Sequence, residues 1–285
     1  MAGGCAHHPD RPYMMSKSVE SRGLGAEAYA SGELERALEK FREALRIDRS
    51  IDNRSGEMLD LINLGRVYIS LGKYREATDF LNEAVTLGVV TGDERNLSEA
   101  HATFAKAEYL SGQTGTALDH MEESLQIDGR MGYKSASRLN LKGFIYIDSG
   151  RYDEAGEIIK EALRINAAEG DAVEAANSYR ALGEISGARG MSGEALAFFE
   201  KAYEIDLAAG DPRKIAHGLG RMAELNLKDG RREKALFLFE RYYVVSFNSG
   251  QRESTLDALG RLIDLYMDMG ETGKAVFYQK VKDSI

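Results

Sequence analysis

A glycine followed five residues later by an alanine recurs seven times along the chain: Gly32/Ala37, Gly72/Ala77, Gly112/Ala117, Gly150/Ala155, Gly190/Ala195, Gly230/Ala235 and Gly270/Ala275. Successive glycines lie 40, 40, 38, 40, 40 and 40 residues apart. A period of this length describes one supersecondary unit per copy, and no single copy can bury its own apolar face, so the copies must stack on one another. In the copy from Met58 to Leu87, Leu61, Leu64, Gly65 and Tyr68 precede Gly72, and Ala77, Leu81 and Ala84 follow it, marking two short amphipathic helices joined at the glycine. The glycine supplies the left-handed residue that ends the first helix, and the alanine lets the second pack close to it. The expected fold class is all-α, an α-solenoid of seven helical hairpins.

A second glycine series, Gly92, Gly132, Gly170, Gly210 and Gly250, ends the second helices. Asp93, Asp171 and Asp211 come next as N-caps, and Pro212 suits a first helical position. Leading helices are expected near 56–71, 95–111, 134–149, 172–188, 212–229 and 252–269. Gly132 to Gly150 spans eighteen residues where other copies have twenty, which places the short interval in the turn or first turn of the fourth leading helix. Residues 1–17, with Pro9 and Pro12 and no helical period, read as a flexible leader, and 18–285 as one continuous array. In the last copy Gln279 and Lys282 stand where earlier copies have Phe199 and Ala202, so that hairpin is expected to be a polar cap.

The Leu-Gly pair at 64–65 with Tyr68, Ala77 and Ala84, repeated in phase from Ser18 onward, resembles the tetratricopeptide repeat (TPR). The 40-residue length is similar to that of repeats in cell-polarity adaptors, kinesin light chains and bacterial regulatory TPR proteins. The resemblance implies a right-handed superhelix with a deep groove that binds a protein partner. It also implies which side chains line that groove, namely those of the leading helices around the Leu-Gly pair: Arg22, Asn63, Arg66, Lys106, Tyr109, Asn140, Phe144, Arg180, Glu184, Arg221, Glu224, Arg261 and Asp264. The early copies then offer cations and amides, through Arg22, Arg66 and Lys106, to an acidic segment. The later ones offer Arg180 with Glu184, Arg221 with Glu224, and Arg261 with Asp264, whose spacing also suits intrahelical pairs. The carboxylate clamp of TPR co-chaperones is poorly matched: in its positions stand Arg22, Ala26, Asn63, Glu99 and Thr103, and Glu99 would repel a carboxylate.

A formal net charge of −9 without a basic stripe argues against nucleic acid as a partner. No apolar run approaches the roughly 18 residues of a spanning helix. The five histidines (His7, His8, His101, His120, His217) show no metal-ligand spacing, and neither a nucleophile elbow nor a phosphate loop occurs. Neither catalysis, a cofactor nor a metal is therefore expected.

Two stretches point beyond the array. Cys5, the one cysteine, follows Ala2-Gly3-Gly4 and precedes Ala6, a string that resembles the end of a bacterial lipoprotein signal without its apolar part, so that Met1 would be an internal start. A lipid anchor there implies a bacterial, membrane-tethered, periplasmic protein; the alternative is a cytoplasmic regulator that binds a signalling peptide. The stretch 236–247 is apolar on more than one helical face, which suits either filling between repeats or self-association.

Overall fold

The computed structural model describes residues 11–285, and among them all regular structure is helical: fourteen helices in chain order. They fall into two compact units, one ending at Arg138 and the other beginning at Leu139.

The first unit holds α1 (Arg11–Ala30), α2 (Leu34–Ser50), α3 (Arg54–Ser70), α4 (Tyr74–Thr91), α5 (Glu94–Leu110) and α6 (Thr114–Arg130). Each packs on the next, and α3 also touches α5, as successive leading helices should. The division falls within α7 (Ala136–Asp148). The second unit continues with α8 (Tyr152–Glu169), α9 (Ala172–Ala188), α10 (Ser192–Ala209), α11 (Pro212–Lys228), α12 (Arg232–Asn248), α13 (Arg252–Asp268) and α14 (Thr272–Asp283), again packed in order from α8 onward.

Both glycine series take the left-handed conformation that a helix end requires, with φ between 68° at Gly92 and 85° at Gly112. In the first repeat the second series lacks its glycine: Asp52, 40 residues before Gly92, adopts φ 55° instead, the one positive-φ residue that is not glycine among the described residues. Asp93 and Asp171 cap the helices that follow them, accepting from the Asn96 and Glu174 amides. Asp211 accepts from Arg213 and Lys214 with Pro212 just inside the helix.

A small residue on each of the first six leading helices stands opposite a large one sixteen positions later on its partner. Gly25 meets Phe41, Gly65 meets Leu81 and Gly183 meets Phe199, and a Cβ at Gly65 would lie 2.7 Å from Leu81 Cγ. Ala105 with Met121 and Ala223 with Phe239 repeat the pairing in fully or almost fully buried form. In the last hairpin it is lost, because Ile263 occupies the small position and Gln279, which is exposed, the large one. Ala275 is the one buried residue of α14.

Two differences from the expected boundaries have physical causes. α1 opens at Arg11, so residues 11–17 are its first turns and not leader; Pro12 is compatible because amides of the first turn have no partner within the helix. The short interval is confined to the connection before α7 and to α7 itself: the helix has 13 residues where α3 has 17, and residues 131–135 join it to α6. Cys5, His7 and His8 lie outside the described residues.

Candidate functional site

The face presented by the leading helices is polar in both units, and its charges are largely matched to each other. In the first unit Arg66 of α3 pairs with Glu99 of α5 and donates to Asn63 at 3.1 Å. Glu99 also receives Arg138 at 2.6 Å. Burial would raise the Glu99 carboxyl, yet the two guanidiniums on either side hold it below its ordinary value. Lys106 is exposed and Tyr109 half-buried on α5.

Arg22 is built into the packing between helices, with its side chain only 17% exposed. It binds Asp48 of α2 and Asp60 of α3, and Ser18 donates to the same Asp48 at 2.6 Å. Comparable ties recur: Asp128 takes Arg138 and Ser98, and Asp206 takes Arg180. The three acids occupy one repeat position, sixteen residues after Gly32, Gly112 and Gly190. Asn166 holds that position after Gly150, and its Oδ1 is buried without a partner. Burying an ion pair costs desolvation, so its effect is to fix which helices meet more than to add stability.

In the second unit the acids and bases form a ladder from one leading helix to the next. Arg221 of α11 donates to Glu184 of α9 through Nε at 2.7 Å and pairs with Glu224 on its own helix. Glu224 accepts from Arg261 of α13 at 3.1 Å, and Arg261 also lies 3.5 Å from Asp257. Burial lowers the Arg221 guanidinium, but its bonds to Glu184 and the charges of Glu184 and Glu224 outweigh this and leave it above its ordinary value. A recess of about 460 Å³ opens at this ladder, lined by Ile147, Asp148, Tyr152, Glu184, Arg221, Glu224 and Lys228 among others. Nearby on α11, His217 is exposed, and partial desolvation with the charges of Arg180 and Arg221 pushes its imidazole below its ordinary value.

The structure thus divides the residues expected in the groove. Asn63, Arg66, Lys106, Tyr109, Glu184, Arg221, Glu224, Arg261 and Asp264 stand half-buried or exposed on leading helices. Arg22, Asn140, Phe144 and Arg180 serve the packing instead. Asn140 is 2% exposed, donating to Glu174 and accepting from Ser178 at 2.8 Å. Phe144 packs against Ile159, Ala181 and Leu182. Of the three expected intrahelical pairs only Arg221–Glu224 forms; the Arg180 guanidinium turns to Asp206 and Asn177, and Arg261 to Glu224 and Asp257. A long side chain on a leading helix reaches the adjacent helix as easily as the next turn of its own. Spacing along one helix could not show this.

Away from this face, Phe237 and Phe247 of α12 are 57% and 52% exposed, while Tyr243 is partly buried against Tyr278. No group of three or more His, Cys, Asp or Glu side chains converges as a metal cage among the described residues, and no helix of the described residues is long and apolar enough to cross a membrane. The structure does bring together two histidines that the sequence separates, His101 of α5 and His120 of α6, with Nδ1 atoms 2.9 Å apart.

A tetratricopeptide-repeat family model matches residues 19–88, 61–129 and 135–208. Among curated proteins no sequence matches. Solved structures of similar fold include a signal-transduction ATPase of the STAND class with a tetratricopeptide repeat sensor from Pyrococcus horikoshii (TM-score 0.70, 18% identity, 96% of this chain but 43% of that one). The apo form of RapI is similar over 94% of this chain and 96% of its own (TM-score 0.70, 15% identity). A Rap protein complexed with Competence and Sporulation Factor is similar over 94% and 76% (TM-score 0.69, 14% identity). At these identities the likeness is one of fold.

Proposed function

This chain belongs to the tetratricopeptide-repeat family, and on that premise we propose that it is a non-catalytic interaction module that seats an extended protein segment or helix against its leading helices. The observation that carries this reading is the recess at Glu184, Arg221 and Glu224, where side chains of both signs converge from α9 and α11. Because these groups already orient one another, little side-chain freedom is lost when a partner binds, and their charges set its register. The segment we expect carries both carboxylates and donors at this recess. A segment seated against the first unit is expected to be acidic at Lys106, since Arg22 and Arg66 there are matched internally.

The test is a selection of displayed random peptides on the wild-type chain, with Arg221→Glu and Glu224→Arg combined as the comparison. The swap keeps the intrahelical pair but sets the new carboxylate against Glu184 and the new guanidinium against Arg261, breaking the ladder between helices. Selected peptides should bind the wild type at least tenfold more tightly than the swapped protein at equal helicity. Equal binding to the two proteins would refute the recess as the seat.

The tether reading is supported by Ala2-Gly3-Gly4-Cys5-Ala6, and by it the protein is lipid-anchored and periplasmic. A cytoplasmic regulator answering a signalling peptide is the second reading, supported by the likeness in fold to the Rap protein complexed with Competence and Sporulation Factor. Mass spectrometry of the protein made from its native gene separates them: a mature chain starting at an acylated Cys5 supports the anchor, and a free thiol in an unprocessed chain rejects it.

A further inference from the structure

The hairpin of α5 and α6 departs from the repeat at one point of its interior. Eleven residues before the turn glycine stand Leu61, Leu219 and Leu259 in other copies, all fully buried, and His101 here. Eight residues after it stand Phe80 and Phe198, and His120 here. Where the fifth copy stacks Tyr179 on Phe198 at 6.4 Å, this one sets two half-buried imidazoles against each other with ring centroids 5.1 Å apart. An apolar pair would be the stabilising choice at such a position, so the imidazoles call for another explanation.

Their geometry offers one. The two Nδ1 atoms are hydrogen-bonded at 2.9 Å, one ring donating and the other accepting, and moving that one proton to the Nε2 of its own ring frees both lone pairs for an ion. Two nitrogens each about 2.05 Å from one ion and at right angles across it are about 2.9 Å apart, the separation of neighbouring positions in a square-planar or octahedral centre. Tetrahedral ligation needs about 3.3 Å from the same bond length. The surroundings hold His120 for this task. Phe104 stacks on its ring at 4.1 Å, and Glu108 places a carboxylate oxygen 3.9 Å from Nε2. That oxygen is buried and has no hydrogen-bond partner. At 3.9 Å it makes no hydrogen bond to Nε2, but its negative charge favours a proton on that nitrogen and so a free lone pair on Nδ1.

We propose that His101 and His120 bind a divalent late first-row transition-metal ion through their Nδ1 atoms, with Glu108 as a positioning residue behind His120. Water completes the coordination, and Glu123, three residues beyond His120 on the same helix, lies close enough for its charge to act on both imidazoles. The ion would clip α5 to α6 within the first unit. This site does not depend on the recess in the second unit or on the proposed partner.

Ni²⁺ is the probe, in a chain with Cys5→Ser, His7→Ala and His8→Ala so that the leader contributes no ligands. Calorimetry should show one ion per chain, and the thermal midpoint should rise with it. The double variant His101→Leu, His120→Phe restores the pair that Leu61 and Phe80 form elsewhere, so its folding is provided for by the repeat itself. It should bind Ni²⁺ at least tenfold more weakly while keeping its helicity, and either single substitution should do the same. Glu108→Gln should weaken binding several-fold and shift the pH dependence of uptake. Absence of binding by the parent chain, or equal affinity in parent and double variant, would overturn the proposal.

Discussion

The Nε of Arg22 donates to Oδ1 of Asp60 at 2.7 Å, joining α1 to α3, while the same guanidinium holds Asp48 of α2. Two buried carboxylates therefore share one cation. Burial and the neighbouring Asp48 push the Asp60 carboxyl up to about 7 in spite of Arg22. A carboxyl raised in the folded chain binds its proton more tightly there than when unfolded, so its favourable contribution is complete below about pH 4 and is lost as the pH rises through about 7. Asp60→Asn, neutral throughout, should remove that loss. Unfolding midpoints measured from about pH 5 to about pH 8 should shift steadily in favour of the variant, and a constant difference across this window would contradict the assignment.

Gly65 has no room for a side chain. An alanine there would press its Cβ on the branch point of Leu81, which is fully buried, and the two helices would have to part. Overpacking of this kind costs about 1–3 kcal/mol. Denaturant unfolding of Gly65→Ala should show a loss in that range, with the proposed peptide contacts of the second unit unaffected.

Asp52 is strained where every later copy has glycine. Left-handed backbone disfavours a residue with a Cβ, though Asp tolerates it better than most, so Asp52→Gly should stabilise the chain by about 0.5–1 kcal/mol. Its pair with Arg54, with side chains 73% and 53% exposed, contributes little that would be missed. A loss of stability in the variant would show that the pair matters more than the backbone.

Phe237 and Phe247 are more than half exposed, although Arg241 lies over the first ring and Tyr243 beside the second. Replacing both by serine should change stability by no more than about 0.5 kcal/mol each. If this face of α12 joins two copies, sedimentation of the wild type should depend on concentration and that of the double variant should not. A wild type that sediments as a monomer at every concentration would exclude self-association through the face.

The repeat was legible because its turns demand a particular backbone, and glycine at Gly72 or Gly190 announces that demand directly. The N-caps at Asp93, Asp171 and Asp211 were legible for the same reason, since a cap is a contact between near neighbours in the chain. What spacing within one helix could not reveal is where long side chains turn. Arg180 has Glu184 four residues on, yet its guanidinium reaches Asp206 across the hairpin. The signal for such ties lay in comparing copies: Asp48, Asp128 and Asp206 share one repeat position, and an acid recurring among apolar neighbours marks a buried partner. His101 and His120 show no ligand spacing for the same reason, because nineteen residues separate them in sequence and only the alignment of one hairpin on another sets them opposite each other.

The order in which the helices pack has a kinetic consequence. From α1 to α6, and again from α8 to α14, each helix lies against its neighbour in the chain, and α2 reaches α3 across only residues 51–53. Closing such short connections requires little search, so contacts form soon after the helices do, and folding within a unit has no privileged starting point. A lesion such as Gly65→Ala should then quicken the unfolding of its own hairpin first. Amide hydrogens in α3 and α4 would exchange early, while those several hairpins away keep their protection.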